Sequence, residues 1–343
     1  KGVADIRDYG IGKFNEACRA IVLRYSHEWE KFVNRSGRWV DFNHQYRTMD
    51  VDFIESVWWV MSELWGKGLV YQGVKCVPYS AATATPLSNF EANLNYKDVQ
   101  DPSVTIKFKL VSRLEAAGEA NSSPIYICAW TTTPWTLPSN LALAVSSTLE
   151  YSIVRHENEL LVVSTESLER LGLGAAEVVG KVMGDKLVGL HYEALFPYAA
   201  DRKEHGAFQI YSGDFVLEGD GTGVVHCASF GEDDVALFQK VGIPIFDPID
   251  PEGRFSAVIP ELEGMNFKES DSTVMQLLKS KGLVFKHETL SHSYPFCWRT
   301  DTPLMYRTIP AWFVSVEKIR DRLVELNKQI NWVPAHVGSG RFG

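Results

Sequence analysis

The sequence predicts a mixed α/β protein in which a β-barrel-like domain is inserted through a stem of helices and strands. Three observations lead to that expectation. From about residue 70 the chain breaks into short β-rich runs separated by turn residues, with few helical stretches and no strict β–α–β order. Its two flanks differ in texture, with helical spacing on one side and a strand followed by an amphipathic helix on the other. Finally, Val74 to Pro78 and Tyr306 to Phe313 suit two neighbouring strands through which an inserted domain leaves and re-enters its host. The expected layout is an incoming limb with a helical stem over 1–79, the mixed domain over 80–290, and a return limb over 291–343.

Composition sets the bounds. The chain has 343 residues, 45% hydrophobic and 22% charged, which suits a globular protein of roughly two domains. A net charge of -9 argues against tracking along a nucleic-acid backbone, which needs clustered Lys and Arg, but leaves room for gripping one nucleotide end. The five cysteines, Cys18, Cys76, Cys128, Cys227 and Cys297, are odd in number and scattered, so a reducing, cytoplasmic setting is expected rather than a disulfide framework. No stretch reads as a signal peptide or a membrane span, and no membrane contact is expected. The chain opens on Lys1 and closes on the glycine-rich run Gly338 to Gly343, which suggests a piece of a larger protein.

In order, Ala17, Cys18, Ile21, Val22 and Tyr25 repeat at helical spacing and predict a helix over about 13–33. A second helix is expected over about 49–69, capped by Asp50 or Asp52, with Val57, Met61, Leu64 and Trp65 as its buried stripe. Strands follow at Val74 to Pro78, Thr105 to Val111, Ile125 to Trp130, Tyr151 to Val154, Leu160 to Val163 and Phe208 to Val216. Gly118 to Ser123 and Ala199 to Gly206 read as loops; Ser164 to Leu171 and Asp233 to Val241 read as short helices, the second with Val235, Leu237 and Phe238 inward. After Leu290 comes an aromatic, turn-rich run to Leu304, then a strand over Tyr306 to Val316 and a helix over Lys318 to Gln329.

Two stretches break these periodicities. Trp130-Thr131-Thr132-Thr133-Pro134-Trp135-Thr136-Leu137-Pro138-Ser139-Asn140 crowds hydroxyls directly after an apolar strand. Consecutive threonines are ordinary strand chemistry, and Thr-Pro is an ordinary turn. Here, however, Thr131 and Thr133 face one way and Thr132 the other, an arrangement that suits a strand delivering its end into a polar cleft. The second stretch, Gly221-Thr222-Gly223-Val224-Val225-His226, leads through Cys227 to Gly231 into Glu232-Asp233-Asp234. It has neither dinucleotide-binding nor P-loop spacing. Acids at a helix start complement the dipole without further purpose, but His226 at a strand end near Asp234 is placed to share a cleft. No second ligand pair lies at metal spacing, so no metal is expected.

Together these two motifs resemble those of the editing domain inserted in the class I synthetases for isoleucine, valine and leucine. The runs Val77 to Ser80, Thr85 to Glu91, Asn95 to Ser103, Glu55 to Val60 and Tyr294 to Arg299 are similar to the eukaryotic cytosolic isoleucyl type, and the likeness covers nearly the whole chain. What the resemblance implies is hydrolysis of mischarged valyl-tRNA(Ile), with valyl-adenylate as an additional candidate substrate, within an isoleucine–tRNA ligase. It gives as partners the 3′ end of tRNA(Ile) carrying valine and the rest of the synthetase. The HIGH and KMSKS signatures are absent; the fragment itself is expected to need no cofactor, ATP and Mg serving the full-length host.

Carried over by position, Asp234 would bind the substrate's α-ammonium, and His226 would approach its side chain or ester. The expected catalytic set is Thr131, Thr132, His226 and Asp234. The expected substrate-binding set is Trp130, Thr133, Thr136, Asn140, Gly223 and Glu232. Attack would come from a positioned water, with His226 either its base or a wall of the pocket. Against the family pattern, the run from Cys227 to Gly231 is one residue short and lacks a proline. A non-hydrolytic module docking the tRNA 3′ end is therefore one alternative, and a valyl or leucyl editing domain another. Some relatives carry Cys pairs in both limbs, but Cys76 and Cys297 stand alone here, so no zinc is expected.

Overall fold

The computed structural model describes residues 3–219 and 221–342. In chain order it holds α1 (Val3–Tyr9), α2 (Ile11–Arg35), α3 (Val51–Gly66), β1 (Val70–Ser80), β2 (Thr85–Pro86), α4 (Asn89–Ala92), β3 (Tyr96–Lys109), β4 (Ile125–Thr131), β5 (Ala142–Val145), β6 (Glu150–His156), β7 (Glu159–Ser164), β8 (Val178–Met183), β9 (Gln209–Ser212), β10 (Val224–Cys227), α5 (Glu232–Val241), α6 (Asp271–Ser280), β11 (Val284–Pro295), β12 (Met305–Val314) and α7 (Arg320–Asn327). Two compact units emerge: Lys1–Val74 with Pro310–Gly343, and Lys75–Ile309. As expected, β1 and β12 are neighbours, in a three-stranded sheet of order β12-β1-β2. No helix among the described residues is long and apolar enough to cross a membrane.

In the first unit α2 and α3 follow the helical spacing of the sequence. The expected burial of α3 does not follow: none of its residues is buried, and Val57 and Trp65 are exposed. Trp65 has an aromatic neighbour in Trp312, 5.8 Å between ring centroids, and Met61 and Leu64 are half-buried. Asp50 precedes the helix without a side-chain capping bond.

The second unit is mixed α/β, and its sheets do not close into a barrel. One sheet has six strands in the order β11-β3-β4-β7-β6-β8, so β11 and β8 remain separate ends; a second has the order β10-β5-β9. All pairs in the larger sheet are antiparallel except β4 with β7. Ile106, Phe108, Ile127, Leu143, Val145 and Ile210 are fully buried in the core shared by the two sheets. Each such apolar side chain contributes on the order of 1.5–3 kcal/mol by leaving water.

Three local expectations change. Ser164 to Leu171 contains only a 3-10 turn, Thr165–Ser167, because Ser164 ends β7 and Ser167 turns its hydroxyl back to the Ser164 carbonyl. The loops at 118–123 and 199–206 hold 3-10 turns, Glu115–Ser122 and Ala200–His205, the latter ending on Gly206 in the left-handed region. The strand over Phe208 to Val216 shrinks to Gln209–Ser212.

Candidate functional site

Strand pairing explains how the threonine-rich segment divides. Thr131 pairs with Val104 and Trp130 with Thr105, so the two residues project to opposite faces of the sheet. Thr131 ends β4, and a 3-10 helix, Pro134–Ser139, follows at once. The Thr133 backbone N–H donates to Thr131 Oγ1 at 3.1 Å, and Thr136 Oγ1 donates to the Thr133 carbonyl at 2.8 Å. The hydroxyls of Thr131 and Thr133 are 3.1 Å apart, and those of Thr133 and Thr136 are 3.4 Å apart. The segment thereby becomes a short ladder of hydroxyls.

At its far end the ladder meets His226, delivered by β10, where it pairs with Leu143. Hydrogen bonds fix the imidazole tautomer. Asn140 Nδ2 donates to the Ala142 carbonyl at 3.0 Å, which assigns its amide nitrogen, while Asn140 Oδ1 accepts from Tyr192 OH at 2.7 Å. The same nitrogen lies 2.9 Å from His226 Nδ1, so Nδ1 must accept. The proton of a neutral ring is then on Nε2, which donates to Thr136 Oγ1 at 2.9 Å. Burial pushes the His226 pKa down to about 4, which agrees with a neutral ring.

Asp234 closes the opposite side. It is in the first turn of α5, where Gly231 precedes the helix without offering a side-chain cap. Its Oδ2 accepts from the Ala228 N–H at 3.1 Å, so the short run after Cys227 still brings the carboxylate to the cleft. Burial is the main cause that raises its pKa to about 7, with the Ala228 and Cys227 hydrogen bonds opposing it. Thr131, Thr133, Thr136, His226 and Asp234 together line a cavity of about 240 Å³. Its apolar wall comes from Trp135, Phe230, Tyr294, Pro295 and Tyr306.

The other expected residues are elsewhere. Asn140 stands behind His226, not in the lining. Trp130 lines a separate pocket with Ser103, Thr105 and Gly221 on the other face of β4, and Thr132, in the bend after β4, is absent from the cavity wall. Glu232 is exposed at the start of α5. Gly223 has a backbone reason to be glycine: its φ is +72°, and a Cβ would come within 2.5 Å of Ser164 Cβ. Sequence reasoning missed Tyr294, Tyr306 and Phe230, whose aromatic character was visible but whose meeting depends on β11 and β12.

A family model for class I tRNA synthetases (I, L, M and V) matches residues 1–343. This chain belongs to that family. The synthetase chain is 50% identical over 345 residues to the isoleucine–tRNA ligase of Bdellovibrio bacteriovorus, covering 99% of this chain and 32% of that protein. It is 49% identical to the ligase of the same name from Protochlamydia amoebophila, with 100% and 33% covered. For Chlamydia pneumoniae the figures are 46%, 98% and 32%. The chain thus spans about a third of the length of these relatives. All three are bacterial proteins, so the eukaryotic cytosolic type expected from the sequence finds no support in them. Among solved structures, the P. knowlesi cytosolic leucyl-tRNA synthetase editing domain aligns with 12% identity and a TM-score of 0.41, over 56% of this synthetase chain and 97% of that one.

Proposed function

We propose that this chain is the editing portion of an isoleucine–tRNA ligase and hydrolyses valine misattached to the 3′ end of tRNA(Ile). One observation carries the reading: a half-buried carboxylate and a ladder of hydroxyls face each other across one small cavity. Among the described residues no Lys or Arg lines that cavity beside Asp234, so an incoming α-ammonium would offset the desolvation that raises its pKa and anchor the aminoacyl group by a charge-assisted bond. The hydroxyl of Thr136 is committed to the Thr133 carbonyl, and those of Thr131 and Thr133 share one hydrogen bond, which leaves one of the two to donate toward a developing oxyanion or an attacking water. His226 serves as a wall in this reading. One of its nitrogens already accepts from Asn140 and the other carries the proton given to Thr136, so neither is free to take a proton from water.

The apolar wall would admit valine and clash with the extra methylene of isoleucine. A synthetic pocket alone gains only about 10–200-fold from one methylene, a range that isoleucine against valine itself illustrates, so a second sieve is needed. The test is release of free amino acid from tRNA(Ile) charged with valine or with isoleucine. Valine should be released, isoleucine spared, and Asp234→Ala should slow release at least a hundredfold. Equal release of both amino acids would overturn the assignment. The short run before Asp234, which motivated a docking module that binds without turnover, still lets the carboxylate reach the cavity, and this supports the hydrolytic reading.

A further inference from the structure

The 3-10 helix that holds the hydroxyl ladder begins with a donor its own segment cannot satisfy. Pro134 has no N–H, and the Trp135 N–H points out of the first turn, where no carbonyl of the helix can reach it. It is satisfied from 136 residues away: Asp271 Oδ1 accepts from Trp135 N at 2.9 Å. Asp271 is buried at the start of α6, 6% exposed. Its other oxygen is 3.3 Å from Lys268 Nζ, which also lies 2.9 Å from Asp101 Oδ1. Asp101 in turn accepts from, or pairs with, His292 Nε2 at 2.9 Å. Tyr294, a wall of the cavity, covers the Lys268 ammonium at 5.4 Å from its ring centroid. Four charged or titratable side chains and one tyrosine thus converge behind a backbone amide that lies between Thr133 and Thr136.

Resting on the editing reading above, we propose that Asp271 is a positioning residue of the hydrolytic site. By holding the Trp135 amide it sets the turn that carries Thr133 and Thr136, and through Thr136 Oγ1 it sets the imidazole of His226. Lys268 offsets the charge of the buried Asp271 carboxylate, and Asp101 with His292 lies on the far side of Lys268. Asp271 touches no reacting atom. What it supplies is an acceptor at one position, and a side chain that moves the acceptor should matter more than one that removes the charge.

That distinction gives the test. Asp271→Asn keeps a carbonyl oxygen at the same reach and loses the charge; Asp271→Glu keeps the charge and displaces the acceptor by one methylene. In the full-length ligase, deacylation of valyl-tRNA(Ile) by Asp271→Asn should keep kcat within threefold of the unaltered enzyme. Asp271→Glu should lower kcat at least tenfold with KM within threefold. Any result in which Asn is not the better of the two overturns the proposal. A second readout needs no turnover. In this 343-residue chain, the imidazole ¹⁵N–¹H correlation of His226 should report the Nε2–H tautomer in the unaltered protein and in Asp271→Asn, and change in Asp271→Glu. An unaltered enzyme that shows this pattern but no hydrolysis refutes the editing reading and leaves the positioning role standing. Hydrolysis with an unchanged His226 signal and full kcat in Asp271→Glu refutes the positioning role alone.

Discussion

At the scale of single residues, Asp234 links the proposed hydrolysis to stability in a way that can be measured. Its folded pKa of about 7 lies above the reference value of 3.8, so the stability that goes with its protonated form is intact below about pH 3.8 and is lost as pH rises through 7. Asp234→Asn keeps an oxygen for the Ala228 N–H and never ionises. Thermal denaturation should find the two proteins equal near pH 4 or below, with the variant gaining on the order of 2 kcal/mol by pH 8. A tenfold change in proton affinity is worth roughly 1.4 kcal/mol, and solvent near the half-buried carboxylate reduces the full amount. The same variant should lose hydrolysis, so more stable and inactive is the expected pair of outcomes. For His226 the fixed tautomer predicts no rate limb near pH 6.5 in kcat, and a pH–rate profile checks it. The sequence displayed Thr131, Thr133, Thr136, His226 and Asp234 openly, because each stands in a short motif that breaks periodicity. It could not display Asp271, Tyr192 or Asp101, since their roles consist of hydrogen bonds to residues 136, 52 and 191 positions away.

Single elements show where local reading holds and where pairing overrides it. The helix at α5 was legible, with Val235, Leu237 and Phe238 buried as the spacing indicated. The strand β11 was not, because Ser291, His292, Ser293 and Tyr294 carry turn-like and polar character. Their backbone is nonetheless paired with β3, from Val284↔Ile106 to Pro295↔Tyr96 with an irregularity between Val284 and Lys286. Long-range pairing supplies what local propensity withholds. At the start of β10, Gly223→Ala places a Cβ against Ser164 and forces a side chain into the left-handed region. Chemical denaturation should register a loss of about 3 kcal/mol, combining roughly 1–2 for the backbone with overpacking of similar size. Tyr151→Phe should cost about 1–3 kcal/mol in the same assay, since Tyr151 OH donates to the Gly223 carbonyl at 2.6 Å and accepts from the Ser146 N–H at 3.1 Å.

For the whole molecule, the mixed α/β class followed from the alternation of short runs, but closure of a barrel did not, because no local signal states which strand ends a sheet. The incomplete burial of the α3 stripe has the same origin: amphipathic spacing says that a face wants cover without saying which chain provides it. An isoleucine-dependent ATP–pyrophosphate exchange assay on this chain should read zero under conditions where valine release proceeds, since neither adenylate-forming signature is in the sequence. The adjacency of β1 and β12 has a genetic meaning as well. A segment whose two ends come out side by side can be lengthened, trimmed or deleted by an in-frame event, and a tight turn would suffice to rejoin the strands. Selection could therefore tune or discard the segment between them without redrawing the gene around it.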